Sequence, residues 1–589
     1  MNKSEKLIVV LLGLLLAGWI WHSVSEQKSA AKAQVRKTAA RQSVQVQAKA
    51  PEPDAVKGVR GGKDGKPAAQ DARPDMPRAP EKLDTLSNDR MELTFSTRGA
   101  AVVKAKMLDY AERPGKISSD NPPVVLDFSA HPALAISGVP GVAADSDYAV
   151  AEKTADTIVY TNAVIRRAIA LKSDYKIEVS ETFAEACPRD SATMLSLGAM
   201  SLGTSKNDIL SVDSWIVSDE KGKSRVEHHG ETEPLKSYLA GGLGGCGGSR
   251  NASGIPATTS VDVPGAREWL AVKNRFFVTA LVGLRGDAGF SATVDRDVSR
   301  HEYVPKTVSV ALKSSSLPER RTYTLYLGPK KQDLLWGLGL KDVMEFGMWR
   351  WLCYPMVAVL NFFNSMIPNY GVAIILLTVL VRLLFWPLTH KSTIGMRKMQ
   401  EIQPLMKEIQ AKYKDNPQRM QQETMHLYRE HKVNPLSSCL PMLVQIPVFI
   451  ALFNVLRSTV ELRYAPFLWI SDLSEPEALF ASWFPFGGLN VLPILMAATM
   501  ALQSALTPSS GDKKQQQMMM VMMPVMMLVM FYNFPSALSL YWTLSQVFSI
   551  VQMWWIRKKY APARVKDGVV VPDAVEMPVT RQMRRHGKS

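Results

Sequence analysis
From Phe346 to Ile556 the chain is a succession of apolar blocks broken by short polar stretches, the pattern of a polypeptide that crosses a bilayer repeatedly. Five blocks, Gly371 to Leu388, Pro435 to Val460, Leu489 to Leu506, Met518 to Phe534 and Ala537 to Ile556, are each about long enough to cross roughly 30 Å of hydrocarbon as a helix. A sixth, Leu7 to Trp21, follows Lys3 and Lys6 and fits either a cleaved signal peptide or an uncleaved anchor. No small-residue cleavage site follows Trp21 at once, and His22 to Val24 extend the run, which favours an anchor over residues 1–24. The stretch Phe346 to Phe363 carries Arg350 and Pro355 and is rich in Trp349, Trp351 and Tyr354. Residues 335–370 therefore read as an amphipathic helix lying at the membrane interface.

Charge sets the direction of the six expected crossings. The segment 391–434 holds nine Lys or Arg and the tail after Ile556 nine more, whereas Glu461 to Gly488 holds one against four acids. Basic loops stay on the cytoplasmic side. Six spans with both termini inside put both basic segments there; a seventh at Phe346 would export the segment 391–434. The net charge of +16 gathers beside the apolar runs rather than along one helix face, which argues against nucleic-acid binding.

The exported half has two parts. Residues 25–80 are rich in Ala, Lys, Gln and Pro with almost no aromatics, a composition that cannot bury a core and reads as a disordered linker. Over 81–334 strict alternation recurs, as in Met91, Leu93, Phe95; Tyr175, Ile177, Val179; Val308, Val310, Leu312; and Tyr323, Leu325, Leu327. This predicts an all-β sandwich. His228 and His229 lie in the charged stretch RVEHHGE without a third ligand and read as solvated loop histidines; His301 and Glu302 lack the second His of a zinc-binding helix. The Gly-rich stretch 241–248 lacks the ending of a phosphate loop, so no cofactor, nucleotide or metal is expected. Cys187, Cys246, Cys353 and Cys439 have no CxxC spacing, and whether Cys187 pairs with Cys246 stays open.

In the membrane half the informative residue is Arg382, six residues before Leu388 and so roughly 9 Å above the expected cytoplasmic end. A charge at that depth costs a few kcal/mol or more unless it faces water or a partner. The expected spans from Gly371 onward contain no Asp or Glu, so water is its expected partner; snorkelling to headgroups is the plainer alternative. Thr378 lies one turn back on the same face, and Gln445, Asn454, Ser437 and Ser438 add polar positions on the next span. Together they suggest a hydrated groove open to the cytoplasm. Eight methionines between Met518 and Met530, around Pro524, suit either a surface that repacks against varied apolar partners or ordinary lipid-facing core.

Between the second and third spans, Met399, Ile402, Met406, Ile409 and Tyr413, then Met420, Thr424, Leu427 and His431, form two apolar seams of a helical hairpin over 391–434. Its basic residues fit anionic headgroups, a ribosome or targeting factor, or a plain solvated face.

The run VRLLFWPLTHKS, the segment EHKVNPLSSCLPMLVQIPVFIALFNVLRSTVELR and FPSALSLYW resemble the YidC family over about Leu335 to Tyr560; FSTRGA and YLGPKKQDLL resemble the ends of its Gram-negative exported domain. The resemblance implies a six-span α-helical insertase, five helices within 371–560 forming its core, with a periplasmic β-sandwich, resident in the bacterial inner membrane. It implies that Arg382, with Thr378, Gln445 and Tyr541, lines a water-filled substrate groove. It also implies that client helices leave along the third and fifth spans, past Phe449, Met526 and Met530. Where the family often has a second Tyr, this chain has Trp542.

The implied partners are nascent membrane proteins, the bilayer and the Sec translocase; for the ribosome, the basic tail from Arg557 to Ser589 is a candidate contact, within which residues 561–589 form the basic cytoplasmic tail domain. The implied activity is a chaperone and insertase working without ATP, cofactor, catalytic residue or small-molecule substrate. Two other readings were weighed. A secondary transporter binding a small anion at Arg382 would show inverted repeats and Gly-broken helix pairs, which the sequence lacks. In the other, the sandwich is the main actor and the membrane half an anchor; deletion of Ser96 to Arg320 discriminates.

Overall fold
The computed structural model describes residues 80–201, 210–216, 225–229, 258–284, 289–296, 305–431, 433, 440–480, 488–506, 513–559, 565–566 and 569–570. The chain divides into two units, residues 1–77 and 78–589. The expected anchor, the linker except Pro80, Cys246, Cys439, Ser437, Ser438 and nearly all of the basic tail lie outside the described residues.

The alternating segments form antiparallel sheets. One sheet of nine strands runs from Arg225–His229 through Ser211–Ile216, Arg267–Lys273, Phe277–Val282, Arg320–Pro329, Lys176–Phe183, Ile165–Leu171 and Thr157–Thr161 to Ala149–Lys153. A five-stranded sheet, with Thr193–Ser201, Pro305–Ser314 and Gly289–Arg296 among its members, faces it: strand Thr193–Ser201 packs on Arg267–Lys273 and Phe277–Val282. A third sheet of four strands, Leu83–Ser87 to Pro123–Asp127, completes the sandwich. Period-two patterning explains which residues turn inward. Met91, Leu93, Phe95, Ile177, Val179, Val308, Val310, Leu312, Tyr323, Leu325 and Leu327 are all buried. Tyr175, read as a strand residue, stands in the turn before its strand at φ 65° and is buried from there.

A charged cluster is sealed inside the sandwich. Glu181 and Arg167 are both fully buried; Arg167 Nε donates to Glu181 Oε1 at 2.8 Å, and its NH1 donates to the carbonyls of Gly99 and Ala100. Arg321 donates to Glu181 Oε2 and the Tyr323 hydroxyl to Oε1. Burial opposes the Glu181 charge, but Arg321 and Arg167 outweigh it and hold the carboxyl below its ordinary value.

The second half is helical: α1 (Gln332–Trp336), α2 (Arg350–Met366), α3 (Tyr370–Leu384), α4 (Trp386–Glu401), α5 (Gln403–Lys412), α6 (Pro417–Glu430), α7 (Leu440–Ser458), α8 (Val491–Leu506), α9 (Lys513–Phe531) and α10 (Ser536–Lys559). The expected interfacial helix is shorter than 335–370: 3-10 turns at Lys341–Met344 and Gly347–Trp349 precede α2. On α2, Cys353, Met356, Val357 and Leu360 are buried on one stripe, while Trp351, Phe362 and Met366 are exposed.

The expected span 371–388 is a bent pair of helices rather than one helix. Helix α3 ends at Leu384 and meets α4 at a 60° bend. Pro387 accounts for this, since proline excludes the preceding residues from continuing a helix while suiting the first turn of a new one. Among the described residues no single helix is long and apolar enough to cross a membrane; the bent pair Tyr370–Leu384 with Trp386–Gly395 passes that test by length and composition. Shorter apolar helices lie at Gln445–Ser458, Val491–Leu506 and Met520–Phe531.

The hairpin between the second and third expected spans is built from α5 and α6 below the end of α4. Ile402 and Leu427 are buried with Val433, packed by Met399, Met406, Ile409 and Tyr428. His431, expected in the seam, is exposed. Tyr428 takes its place, its hydroxyl 3.4 Å from Met406 Sδ, because α6 ends at Glu430 and leaves His431 beyond the helical face.

Candidate functional site
Helices α3, α7 and α10 carry the polar residues expected to line the groove. Asn369 caps α3 by accepting from the Val372 amide, and Gly371 lets α3 approach closely: a Cβ there would stand 2.1 Å from the Phe467 ring. Arg382, three turns on, is half-buried, and its NH2 donates to the main-chain carbonyl of Ser545 on α10 at 2.5 Å. Its Nε is buried and has no partner among the described residues. Beside the water expected from the sequence, a main-chain carbonyl takes one of this guanidinium's donors. That oxygen also accepts from the Ser549 hydroxyl at 3.0 Å.

One turn before Ser545, Tyr541 is buried, and its hydroxyl accepts from Gln445 Nε2 on α7 at 2.7 Å. Arg382, Ser545, Tyr541 and Gln445 thus form a polar strip running from α3 across α10 to α7. Thr378 lies one turn before Arg382 on α3, on the same face as expected, but it makes no cross-helix hydrogen bond among the described residues. It is fully buried and its hydroxyl donates to the Ile374 carbonyl within its own helix at 2.7 Å, satisfying the group locally.

The apolar positions separate into two kinds. Phe449 on α7 is half-buried in an aromatic cluster, 4.8 Å edge-to-face from Trp542 and 5.9 Å from Phe531. Met526 and Met530 on α9 are exposed, at 51% and 44%, alongside exposed Val521, Met522, Val525 and Val529. Trp542, standing where a second Tyr was noted as common, is part of that cluster. Ser545 could not have been singled out from sequence, since the group it supplies is a main-chain carbonyl.

A second cluster lies in the sandwich and corrects one part of the reading of His228, which is exposed as expected but not in a loop. His228 is on a strand, and its Nδ1 is 2.9 Å from Asp213 Oδ1 and 3.7 Å from Glu345 Oε1. One ligand atom each from Asp213, His228 and Glu345 lies within 4.8 Å of the others. The position a cation would take is filled by Lys273. Its buried ammonium pairs with Asp213, lies 2.9 Å from Glu345 and donates to the Val343 carbonyl. Burial opposes the charge of Glu345, yet Lys273 and Lys330 bring its carboxyl down to about 2. The hydrogen bond to Asp213 raises His228 above its ordinary value. The cluster is an ion-pair network that ties the sheet to the Lys341–Met344 turn rather than a metal centre.

Against known proteins, residues 362–563 match the model of the 60Kd inner membrane protein family, and residues 251–359 match that of the YidC periplasmic domain. Three proteins named membrane protein insertase YidC are similar. That of Syntrophus aciditrophicus (strain SB) is 40% identical over 301 residues, 49% of this chain and 52% of the relative. That of Syntrophobacter fumaroxidans (strain DSM 10017 / MPOB) is 43% identical over 300 residues, 49% and 53%. That of Chloroherpeton thalassium (strain ATCC 35110 / GB-78) is 35% identical over 364 residues, 59% and 62%. The chain thus spans about half the length of the first two relatives it matches. With one family model along its helical half and the other along the preceding strands, the chain belongs to the YidC family.

Proposed function
We propose that this protein is a membrane protein insertase and chaperone of the bacterial inner membrane, acting alone or beside the Sec translocase on nascent membrane proteins. In this reading the amino-terminal apolar run, the bent α3–α4 pair, α7, α8, α9 and α10 make six crossings. The sandwich is periplasmic, α2 lies on the outer interface, and the hairpin, tail and both termini are cytoplasmic. The ribosome contacts the basic cytoplasmic segments.

The observation that carries the reading is the placement of Arg382. A guanidinium whose Nε has no partner among the described residues stands among apolar helices whose expected spans hold no acid, next to the Gln445–Tyr541 pair. A carboxylate is the natural bidentate partner for such a group. An acidic or polar exported segment of a client would exchange water for Arg382, lowering the desolvation cost of crossing. The client's apolar segment would then leave past Phe449 and the exposed methionines of α9, whose unbranched side chains adapt to many shapes. Burial of that segment in lipid supplies the drive at roughly 25 cal/mol per Å². The membrane potential adds about 2.3 kcal/mol per charge per 100 mV for an acidic segment moving outward. No ATP is required by this scheme.

The test is insertion of a single-span protein with an acidic exported tail into liposomes holding only this protein, as wild type, Arg382→Lys and Arg382→Ala. Activity of wild type, retention in Lys and loss in Ala support the charged groove. Insertion by wild type no greater than in empty liposomes refutes autonomous action and leaves a Sec-dependent chaperone.

A further inference from the structure
The segment between α7 and α8 is built to hold apolar side chains away from the protein. Phe467 and Ile470 exchange two main-chain hydrogen bonds, each 2.9 Å, closing a two-residue turn with Leu468 and Trp469 at its tip. Leu468 is 75% exposed and has φ 51°; Phe480, further along, is 65% exposed with φ 52°. Such turns ordinarily place glycine at a left-handed position, so strain here falls on the residues that expose the largest apolar groups.

The base is rigid. Phe467 packs on Gly371 at the start of α3, Ile470 and Leu473 are buried, and the Trp469 indole donates to Glu477 at 3.0 Å. Glu477 also accepts from the amides of Val491 and Leu492, capping α8.

The charges of the segment face inward. Asp472 accepts from Tyr464 and Ser474, Glu475 pairs with Arg275, and both carboxylate oxygens of Glu461 are buried. Arg463 donates to the Ala111 carbonyl. The outer tip is therefore uncharged, and it stands where α3 begins, α7 ends and α8 begins. Three side chains fall well short of the roughly 800 Å² per partner of a stable protein interface. Their size and lack of charge suit the boundary of headgroups and acyl chains, where Trp is favoured.

We propose that Leu468, Trp469 and Phe480 form a wedge that inserts shallowly into the periplasmic leaflet, fixing the height of α3, α7 and α8 in the bilayer. This rests on the reading of those helices as membrane-crossing. The test uses the full chain with its four cysteines replaced by Ser and one new cysteine, Leu468→Cys or, as a control in α9, Val525→Cys. Each is labelled with an environment-sensitive fluorophore in phosphatidylethanolamine–phosphatidylglycerol vesicles. The expected result is a blue shift at 468, loss of its fluorescence to a nitroxide near the lipid headgroup, and protection from aqueous iodide. Quenching at 468 by iodide, or protection from both quenchers, with the 525 label quenched by lipid, overturns the wedge and leaves the crossing helices standing. Iodide quenching at both sites overturns the membrane reading and the wedge with it. Should Leu468→Cys fail to reconstitute, Phe480→Cys is read by the same criteria.

Discussion

Tyr541 has a hydroxyl that makes a single cross-helix bond carry local order, since it accepts the Gln445 amide from a buried position. Tyr541→Phe leaves that amide without its acceptor, a loss of about 1 kcal/mol or more, or roughly fivefold in an equilibrium. Insertion in the liposome assay is expected to fall by about that factor, and Gln445→Leu combined with Tyr541→Phe to be no worse than either alone; additive losses would show that the two act separately. The Lys273 cluster gives a prediction in pH. Glu345 is held at about 2, below its ordinary 4.5, so its contribution is present above 4.5 and lost as pH falls towards 2. His228 is raised above 6.5, so its contribution is full below 6.5 and lost as pH rises through the raised value. Thermal unfolding should therefore separate wild type from Glu345→Gln at pH 7 but not near pH 2, and from His228→Gln at pH 5.5 but not in alkaline solution. Arg382 was visible in the sequence as a charge in an apolar run. Its Ser545 partner was not, because the main chain supplies it, and neither was the burial of Thr378, whose hydroxyl bonds within its own helix.

At the scale of the element, periodicity located strands and helices well and breaks poorly. The inward residues of strand Pro305–Ser314 follow from alternation alone, since a one-residue slip would turn all of them outward. The bend after Leu384 rests on Pro387, which an apolar count over 371–388 passes over. Likewise the hairpin seam was legible from Met399 to Ile409 but mistaken at His431, since spacing continues past a helix end and packing does not. Ile402, 4% exposed, is the centre of that small cluster. Ile402→Ala should cost the hairpin about 2 kcal/mol or more and speed limited proteolysis within 403–430, while the sandwich melts unchanged. Unchanged cleavage would mean that α5 and α6 are held by something other than this cluster.

For the molecule as a whole, the sandwich and the helical half share one continuous apolar core, and arginines tie the two together across it. Arg275, 3% exposed in the turn between two strands, donates to the carbonyl of Arg457 at the end of α7, to the carbonyl of Ser474 and to Glu475 at 2.5 Å. Arg463 and Tyr464 reach back to the carbonyls of Ala111 and Glu112. No spacing rule links residues nearly two hundred positions apart, so this joint was absent from the sequence reading, which used the deletion of Ser96 to Arg320 only to discriminate the sandwich from the membrane half as the main actor. That deletion removes Arg275 and the Ala111 and Glu112 carbonyls together. Arg275→Ala should reproduce its effect on stability: loss of a buried ion pair and two carbonyl bonds costs about 3 kcal/mol, lowering the melting temperature of the helical signal in detergent by several degrees. Arg275→Lys should fall between, because an ammonium keeps the charge without the planar fork that serves three acceptors. If insertion by Arg275→Ala persists while its helices melt earlier, the sandwich acts as a brace on α7. If insertion and stability are both unchanged, the joint is a contact without consequence for the groove.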